Sequence, residues 1–394
     1  MQKSKIKNQN YRVPLRGTVF SFAKFGDTDF ALLLSILPIL VAGLVTMNAF
    51  TTGGDYFFWR QLLWIAISFA VFFLMSAVDW RFLKSGALIL LPYLAGVLVL
   101  AALLGLAKAT RGAESWFKIG GFAIEPAEPM KIVTILLLAK YFARRHIAIA
   151  NIKHIFISAI FAGLPATLVF LQPDFGSAMI YAAIWLGMVL ASGINKRHLF
   201  AVFFTGALLF GLGWQFMLEP YQKARVLTFM NPLLDPRGRG YNALQAQVAV
   251  GSGQVFGRGI GEGTQSRLEF LPEHETDFIF AAFAEEWGFV GVAMLFIFFM
   301  IALWRIMKVA FIGHGNFERL YAMGLATMIF AHIVVNVGMN MGVLPITGIT
   351  LPFMSYGGSA LLTLFAGLGI LESMRRYSME MPGKDERHIF IDGV

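Results

Sequence analysis

Residues 273–305 read Glu273-His274-Glu275-Thr276-Asp277 and then FIFAAFAEEWGFVGVAMLFIFFMIALWR, a polar opening that runs directly into an apolar stretch closed by Arg305. Between Phe278 and Trp304 only Glu285 and Glu286 carry charge, and the stretch exceeds the roughly 20 residues that take a helix across a hydrocarbon core. A membrane-spanning β-strand would alternate polar and apolar residues, which this stretch does not do. It therefore reads as a transmembrane helix. Ionisable groups near such a helix are costly unless they face a cavity or a partner, so Asp277 at its mouth marks a place to look for chemistry.

The rest of the chain repeats the pattern. Of 394 residues, 57% are hydrophobic and 14% charged, with a mean hydropathy of +0.68, a balance that no single water-soluble core could hide. Apolar runs recur at 30–50, 57–78, 85–107, 127–143, 153–171, 175–193, 198–217, 276–305, 318–341 and 349–374, which predicts an all-α polytopic membrane protein of about ten spans. The first 25 or so residues are polar and basic and lack the short apolar core of a cleavable signal peptide, so the N-terminus is expected to be retained. With no cysteine, disulfides, thiolate nucleophiles and Cys-ligated metals are excluded.

Lysine and arginine fix the orientation. The N-terminal segment carries Lys3, Lys5, Lys7, Arg12, Arg16 and Lys24, and alternate loops carry Arg81/Lys84, Arg144/Arg145/Lys153, Lys196/Arg197, Arg305/Lys308/Arg319 and Arg375/Arg376. The positive-inside rule places these in the cytoplasm, and an even number of spans leaves both termini there. The net charge of +9 is then a loop property, and no nucleic-acid partner is expected. The layout becomes a cytoplasmic tail (1–29), a transmembrane domain (30–374) and a second cytoplasmic tail (375–394). Within the domain one loop, 218–275, is long, on the outer side and rich in Gly, Pro and Gln, more than a mere connection requires.

Nearly all polar groups near the spans fall at outer ends. Glu128 and Lys131 are three apart at the start of the fourth span and so share a helix face, Asp174 lies in an external turn, and His332, Asn336 and Asn340 form a stripe at steps of four. Ser355-Tyr356-Gly357-Gly358-Ser359 lies near the outer end of the tenth span. Each has a plainer explanation: a local ion pair for Glu128 and Lys131, interhelical hydrogen bonding for the stripe, a glycine kink at Ser355–Ser359, a stabilised turn at Asp174. A helix N-terminus also tolerates Asp277 through its dipole or as a cap. Together, however, they predict one polar site opening outward.

In chain order, the chain carries Arg111-Gly112-Ala113 with Trp116, Glu125-Pro126-x-Glu128-x-x-Lys131, Gln172-Pro173-Asp174-x-Gly176, Tyr221-Gln222-x-x-Arg225-Val226 and Asp235-Pro236 leading to Gly240-Tyr241. There follow Gly251-Ser252-Gly253, Gly263-Thr264-Gln265-Ser266, Phe270-Leu271-Pro272-Glu273-x-x-Thr276-Asp277, Ala284-Glu285-Glu286 and Pro352-x-x-Ser355-Tyr356-Gly357-Gly358-Ser359. In these the chain resembles the SEDS proteins (shape, elongation, division and sporulation), and RodA more than its division paralogue FtsW. Glu125 and Ala127 depart from that pattern, which usually has Gln and Ser there, and Glu275 stands where His is common.

The resemblance implies polymerisation of lipid II into β-1,4 glycan strands on the outer face of the bacterial inner membrane during elongation, with inversion at the donor sugar. Asp277 matches the family's essential aspartate and becomes the candidate catalytic base or acceptor-orienting residue. Lys131, with Glu128 beside it, Arg225, Arg111, Asn336 and Ser355 become candidate substrate-binding residues. A divalent cation, Mg or Mn, held by carboxylates could share the diphosphate's charge, with no metal ligands assigned. The implied partners are lipid II, membrane lipids and a class B penicillin-binding protein, since the chain carries no transpeptidase module of its own. Two rivals stand beside this: a lipid II flippase, which would keep its polar groups near the midplane, and a non-catalytic scaffold for a transpeptidase.

Overall fold

A computed structural model of the chain describes residues 28–50, 54–84, 87–106, 117–119, 122–144, 152–216, 219–235, 238–267, 270–271, 273–313 and 315–380. Ten long helices among them occupy the ten apolar runs: α1 (Phe30–Asn48), α2 (Gly54–Ala77), α3 (Leu90–Leu106), α4 (Ala127–Ala143), α5 (Ile152–Leu171), α6 (Phe175–Ala191), α7 (Lys196–Phe216), α11 (Ile279–Ile312), α12 (Asn316–Asn340) and α13 (Gly358–Glu380). Six of these, α1, α2, α5, α7, α11 and α12, are long and apolar enough to cross a membrane, and α3 and α6 are shorter apolar helices. The protein is embedded in the membrane. A two-stranded antiparallel hairpin, β1 (Phe117–Ile119) with β2 (Phe122–Ile124), precedes α4.

Packing follows from which helices carry polar groups. On α4, Glu128, Lys131, Thr134 and Lys140 are buried along with its apolar residues, because α5, α6, α12 and α13 surround it. Small residues let the neighbours approach. At Gly324 of α12 a side chain would meet Ile135 of α4 and Met188 of α6, and at Gly358 it would meet the Trp64 ring of α2. By contrast α7 buries none of its apolar stretch within the chain, and Phe200, Phe203, Phe204 and Phe210 stand exposed. In water that surface would be unstable; in hydrocarbon it is the expected lipid-facing side.

One end of the bundle is tied by ion pairs. Asp29, which caps α1 by accepting the Leu32 amide, pairs with Arg305 of α11, and its own amide donates to Glu372 of α13 (3.2 Å). Glu372 pairs in turn with Arg375 (2.7 Å), and Lys84 pairs with Glu318. This is the end that carries the basic loop residues; Asp277 lies at the other.

Two features depart from the sequence expectation. The long loop contains α8 (Pro220–Met230), α9 (Arg239–Ser252) and the single turn α10 (Thr264–Arg267). The last apolar run does not enter its helix at residue 349: residues 345–357 are non-helical, and α13 begins at Gly358 and continues to Glu380. Pro352 cannot donate a backbone hydrogen bond, and the polar groups of this segment are taken by side chains from elsewhere, as the site shows.

Candidate active site at the mouth of α11

Asp277 closes the turn that precedes α11. The carbonyl of Glu273 accepts the amides of Thr276 (3.2 Å), Asp277 (3.1 Å) and Phe278 (3.3 Å), so a single oxygen gathers the turn. The carbonyls of Glu275, Thr276 and Asp277 are each held from outside it. Glu275 O accepts the Tyr356 amide (2.9 Å), Thr276 O accepts the Ser355 hydroxyl (2.7 Å), and Asp277 O accepts Nδ2 of both Asn336 and Asn340 (3.0 Å each). Asn336 also donates to Ile349 O (2.7 Å), and the Ser355 hydroxyl accepts the Leu351 amide (2.8 Å). The non-helical segment before α13 is thus built into the site. Gln61 of α2 adds a bond to Ser355 O (3.1 Å).

The carboxyl of Asp277 is half-buried, and Gly348 faces it: a Cβ at Gly348 would stand 3.4 Å from Oδ2, at a φ of 79° that side chains avoid. Burial, reinforced by the negative charges of Glu273, Asp174 and Glu275, pushes this carboxyl up to about 7. Asp174 caps α6 by accepting the Ser177 amide (2.9 Å). Glu125, just ahead of α4, is also raised well above the usual carboxylate range, by burial, by Glu128 and Asp174, and by a hydrogen bond with Asp174. Its backbone is held at both N and O by the Ser359 hydroxyl (3.2 and 3.1 Å).

Beneath this mouth, Lys131 and Glu128 form the ion pair expected of their spacing (2.7 Å), and Lys131 is fully buried. Its Nζ also lies 3.2 Å from Nε2 of His332, whose Nδ1 is 2.8 Å from Met328 O. The carbonyl can only accept, so the ring proton sits on Nδ1 and leaves Nε2 to accept from the ammonium. The stripe on α12 therefore does bond between helices, with His332 meeting Lys131 while Asn336 and Asn340 meet Asp277.

Arg225 lies on α8. It lies between two cavities, one lined by Gln247 and Met339, the other, of about 220 Å³, lined by Phe170, Phe175, Phe210 and Thr347. Thr347, which lines this second cavity, is followed in the chain by Gly348, the residue that faces the Asp277 carboxyl. A larger apolar cavity, about 430 Å³, lies between α5, α6 and α7, lined by Phe156, Ala162, Trp185 and Val202 among others. Arg111 falls outside the described residues. Among those described, no three His, Cys, Asp or Glu side chains are grouped to hold a metal ion.

Sequence reading assigned no role to Glu285 and Glu286. Glu285 is fully buried and accepts the amides of Thr264 (2.8 Å) and Gln265 (3.1 Å) and the Thr264 hydroxyl (3.1 Å); Glu286 accepts the Gly261 amide (3.0 Å). Three residues beyond Glu285, at Gly288 (φ 64°, ψ −165°), α11 breaks. The amides released there bond to the loop: Phe289 to Gln254 O (2.9 Å) and Val290 to Val255 O (3.0 Å), while Arg258 and Gly259 donate to Glu285 O and Glu286 O. Two carboxylates in an apolar run, with glycine-rich stretches at 251–253 and 257–263 to supply free amides, were the available signal.

Fold and site together define a polytopic membrane protein with a pinned, partly buried carboxyl at one end of its helix bundle, together with apolar cavities and a buried ion pair. The chain belongs to the FtsW/RodA/SpoVE family of cell cycle proteins, whose family model matches residues 28–380. It is 34% identical to the peptidoglycan glycosyltransferase MrdB of Escherichia coli K12 over 351 residues, 89% of this chain and 94% of that one. It is 37% identical over 356 residues to a probable peptidoglycan glycosyltransferase FtsW of Thioalkalivibrio sp. K90mix, 88% of this chain and 87% of that one. Among solved structures it superimposes on a chain from a work on polymerization and crosslinking by a peptidoglycan synthase complex. The TM-score is 0.78 at 31% identity, covering 90% of this chain and 99% of that one.

Proposed function

We propose that this chain is a peptidoglycan glycosyltransferase that polymerises lipid II into β-1,4 glycan on the outer face of the bacterial inner membrane, in cell elongation. The observation that carries the reading is the Asp277 carboxyl. It is pinned through its backbone and raised to about 7, where a general base works best at neutral pH, and the Gly348 that faces it follows Thr347, which lines a cavity together with the cation Arg225. Family membership and relatives named as peptidoglycan glycosyltransferases support the reaction class.

In the reaction the acceptor sugar's hydroxyl oxygen attacks the anomeric carbon of the donor from the face opposite its diphosphate. Asp277 takes the hydroxyl proton as the new C–O bond forms. The bond to the diphosphate oxygen breaks, the electron pair leaves with the polyprenyl diphosphate, and the configuration inverts. Arg225 meets the diphosphate's charge, with Arg111 a further candidate. Lys131, sealed by Glu128 and His332, acts at one remove as a fixed positive charge beneath the site. Asn336 and Ser355 serve the site by holding its backbone. The apolar cavities along α7 suit the polyprenyl chain. Crosslinking falls to a class B penicillin-binding protein, a partner suggested by the complex from which the similar solved chain comes.

Purified protein given labelled lipid II separates the readings. Glycan chains support the proposal; leaflet exchange without chains would replace it with a flippase, and neither activity, with transpeptidase binding intact, with a scaffold.

A further inference from the structure

The carbonyl of Asp277 lies outside the hydrogen-bond ladder of α11, whose first carbonyl to accept an amide in helical register is that of Phe278, from Ala282 (3.1 Å). An unsatisfied carbonyl at this depth costs a few kcal/mol. Here it accepts two amide groups, both from α12 and both fully buried. Asn336 and Asn340 are one helical turn apart, so their side chains reach the same point from one face. Each Nδ2 carries two protons and uses both: Asn336 on Asp277 O and Ile349 O, Asn340 on Asp277 O and Asn336 O (2.8 Å).

Asn340 also keeps its Oδ1 buried without a hydrogen-bond partner. A leucine of the same size would avoid that penalty, so the residue is present for its donor. The third member of the stripe, His332, contacts Lys131. One face of one helix therefore fixes both the aspartate and the buried cation, and with them the distance between the two.

We propose that Asn340 and Asn336 are positioning residues for glycosyl transfer: by clamping the Asp277 carbonyl to α12 they hold its carboxyl in line with the acceptor hydroxyl and in register with Lys131. This rests on the reading of Asp277 as proton acceptor.

The test uses Asn340→Ser, Asn340→Leu and Asn336→Leu in the full-length membrane protein, with Asp277→Ala prepared alongside. Serine is too short to reach the carbonyl but small and polar, the change least able to unfold the helix. A displacement of about 1 Å at a reacting group can cost on the order of 100-fold, so kcat for lipid II polymerisation should fall about 10- to 100-fold in the Asn340 variants. KM should stay within about threefold, because the clamp itself makes no substrate contact, and Asn340→Ser should lose only part of the stability lost by Asn336→Leu, because Asn336 still donates to the Asp277 and Ile349 carbonyls. Wild-type kcat in a folded Asn340 variant, or a loss carried by KM alone, overturns the proposal. Asp277→Ala separates the two ideas: if it stays active, the role of Asp277 fails first; if it is inactive while the asparagine variants are not, only the clamp is wrong.

Discussion

The amide of Thr264 and the carboxylate of Glu285 meet at 2.8 Å across 21 residues of sequence, and this bond ties the long loop to the helix that Asp277 opens. Glu285 collects three close donors from Thr264 and Gln265, with the Ser252 hydroxyl at 3.5 Å. Replacing it with alanine leaves those part-buried donors without their acceptor, at a cost of up to about 1–3 kcal/mol for each group left orphaned. Glu285→Ala should therefore release residues 252–265 in hydrogen exchange while the amides of α12 stay protected. Uniform exchange across both regions would contradict a local clamp.

Gly288 carries the second half of that join. Its backbone lies in a region open essentially only to glycine, and a Cβ would collide with the backbone of Gly253 and Gly257. Gly288→Ala should destabilise the protein by at least about 3 kcal/mol. Thermal unfolding in detergent checks this, and a melting point at or above wild type would show that α11 can run straight.

Lys131 and Glu128 should behave as a buried pair whose members fail separately. Removing either leaves an uncompensated buried charge, so each alanine substitution should cost about 3–5 kcal/mol, whereas the pair together replaced by Leu and Met should cost less than either. A double-mutant cycle reads the coupling directly. Additive losses would mean the two charges do not depend on each other.

Asp277 makes stability and activity respond to pH in opposite directions. Its folded carboxyl titrates at about 7 and an unfolded one near 4, so the folded state holds the proton more tightly and loses stability as pH rises between those values. Asp277→Asn cannot ionise; it should melt at a higher temperature than wild type, and the difference should grow from pH 5 to pH 8. The rate of the wild type, by contrast, should climb through about pH 7 as the base ionises. A melting difference that is flat or reversed with pH would remove the elevated carboxyl from the account.

Apolar runs coincide with the ten long helices, six of which are long and apolar enough to cross a membrane, because burial in lipid depends on composition over about 20 residues. Spacing also revealed the Glu128–Lys131 pair and the α12 stripe, where partners lie three or four residues apart. What was not legible depended on distant partners. The non-helical entry to α13 exists because Asn336 takes Ile349 O and Thr276 takes the Ser355 hydroxyl, bonds spanning 13 and 79 residues. The break at Gly288 is sustained by a loop some 30 residues earlier. Asn336 and Ser355 were expected to bind substrate; the geometry directs their donors at the backbone of Asp277, Ile349 and Thr276.

The most direct measurement is glycan synthesis by purified wild-type protein and Asp277→Ala from fluorescent lipid II, with both folded to the same melting point within a few degrees. The account predicts long glycan chains from the wild type and none from the variant. Chains of equal length and yield from both would contradict it.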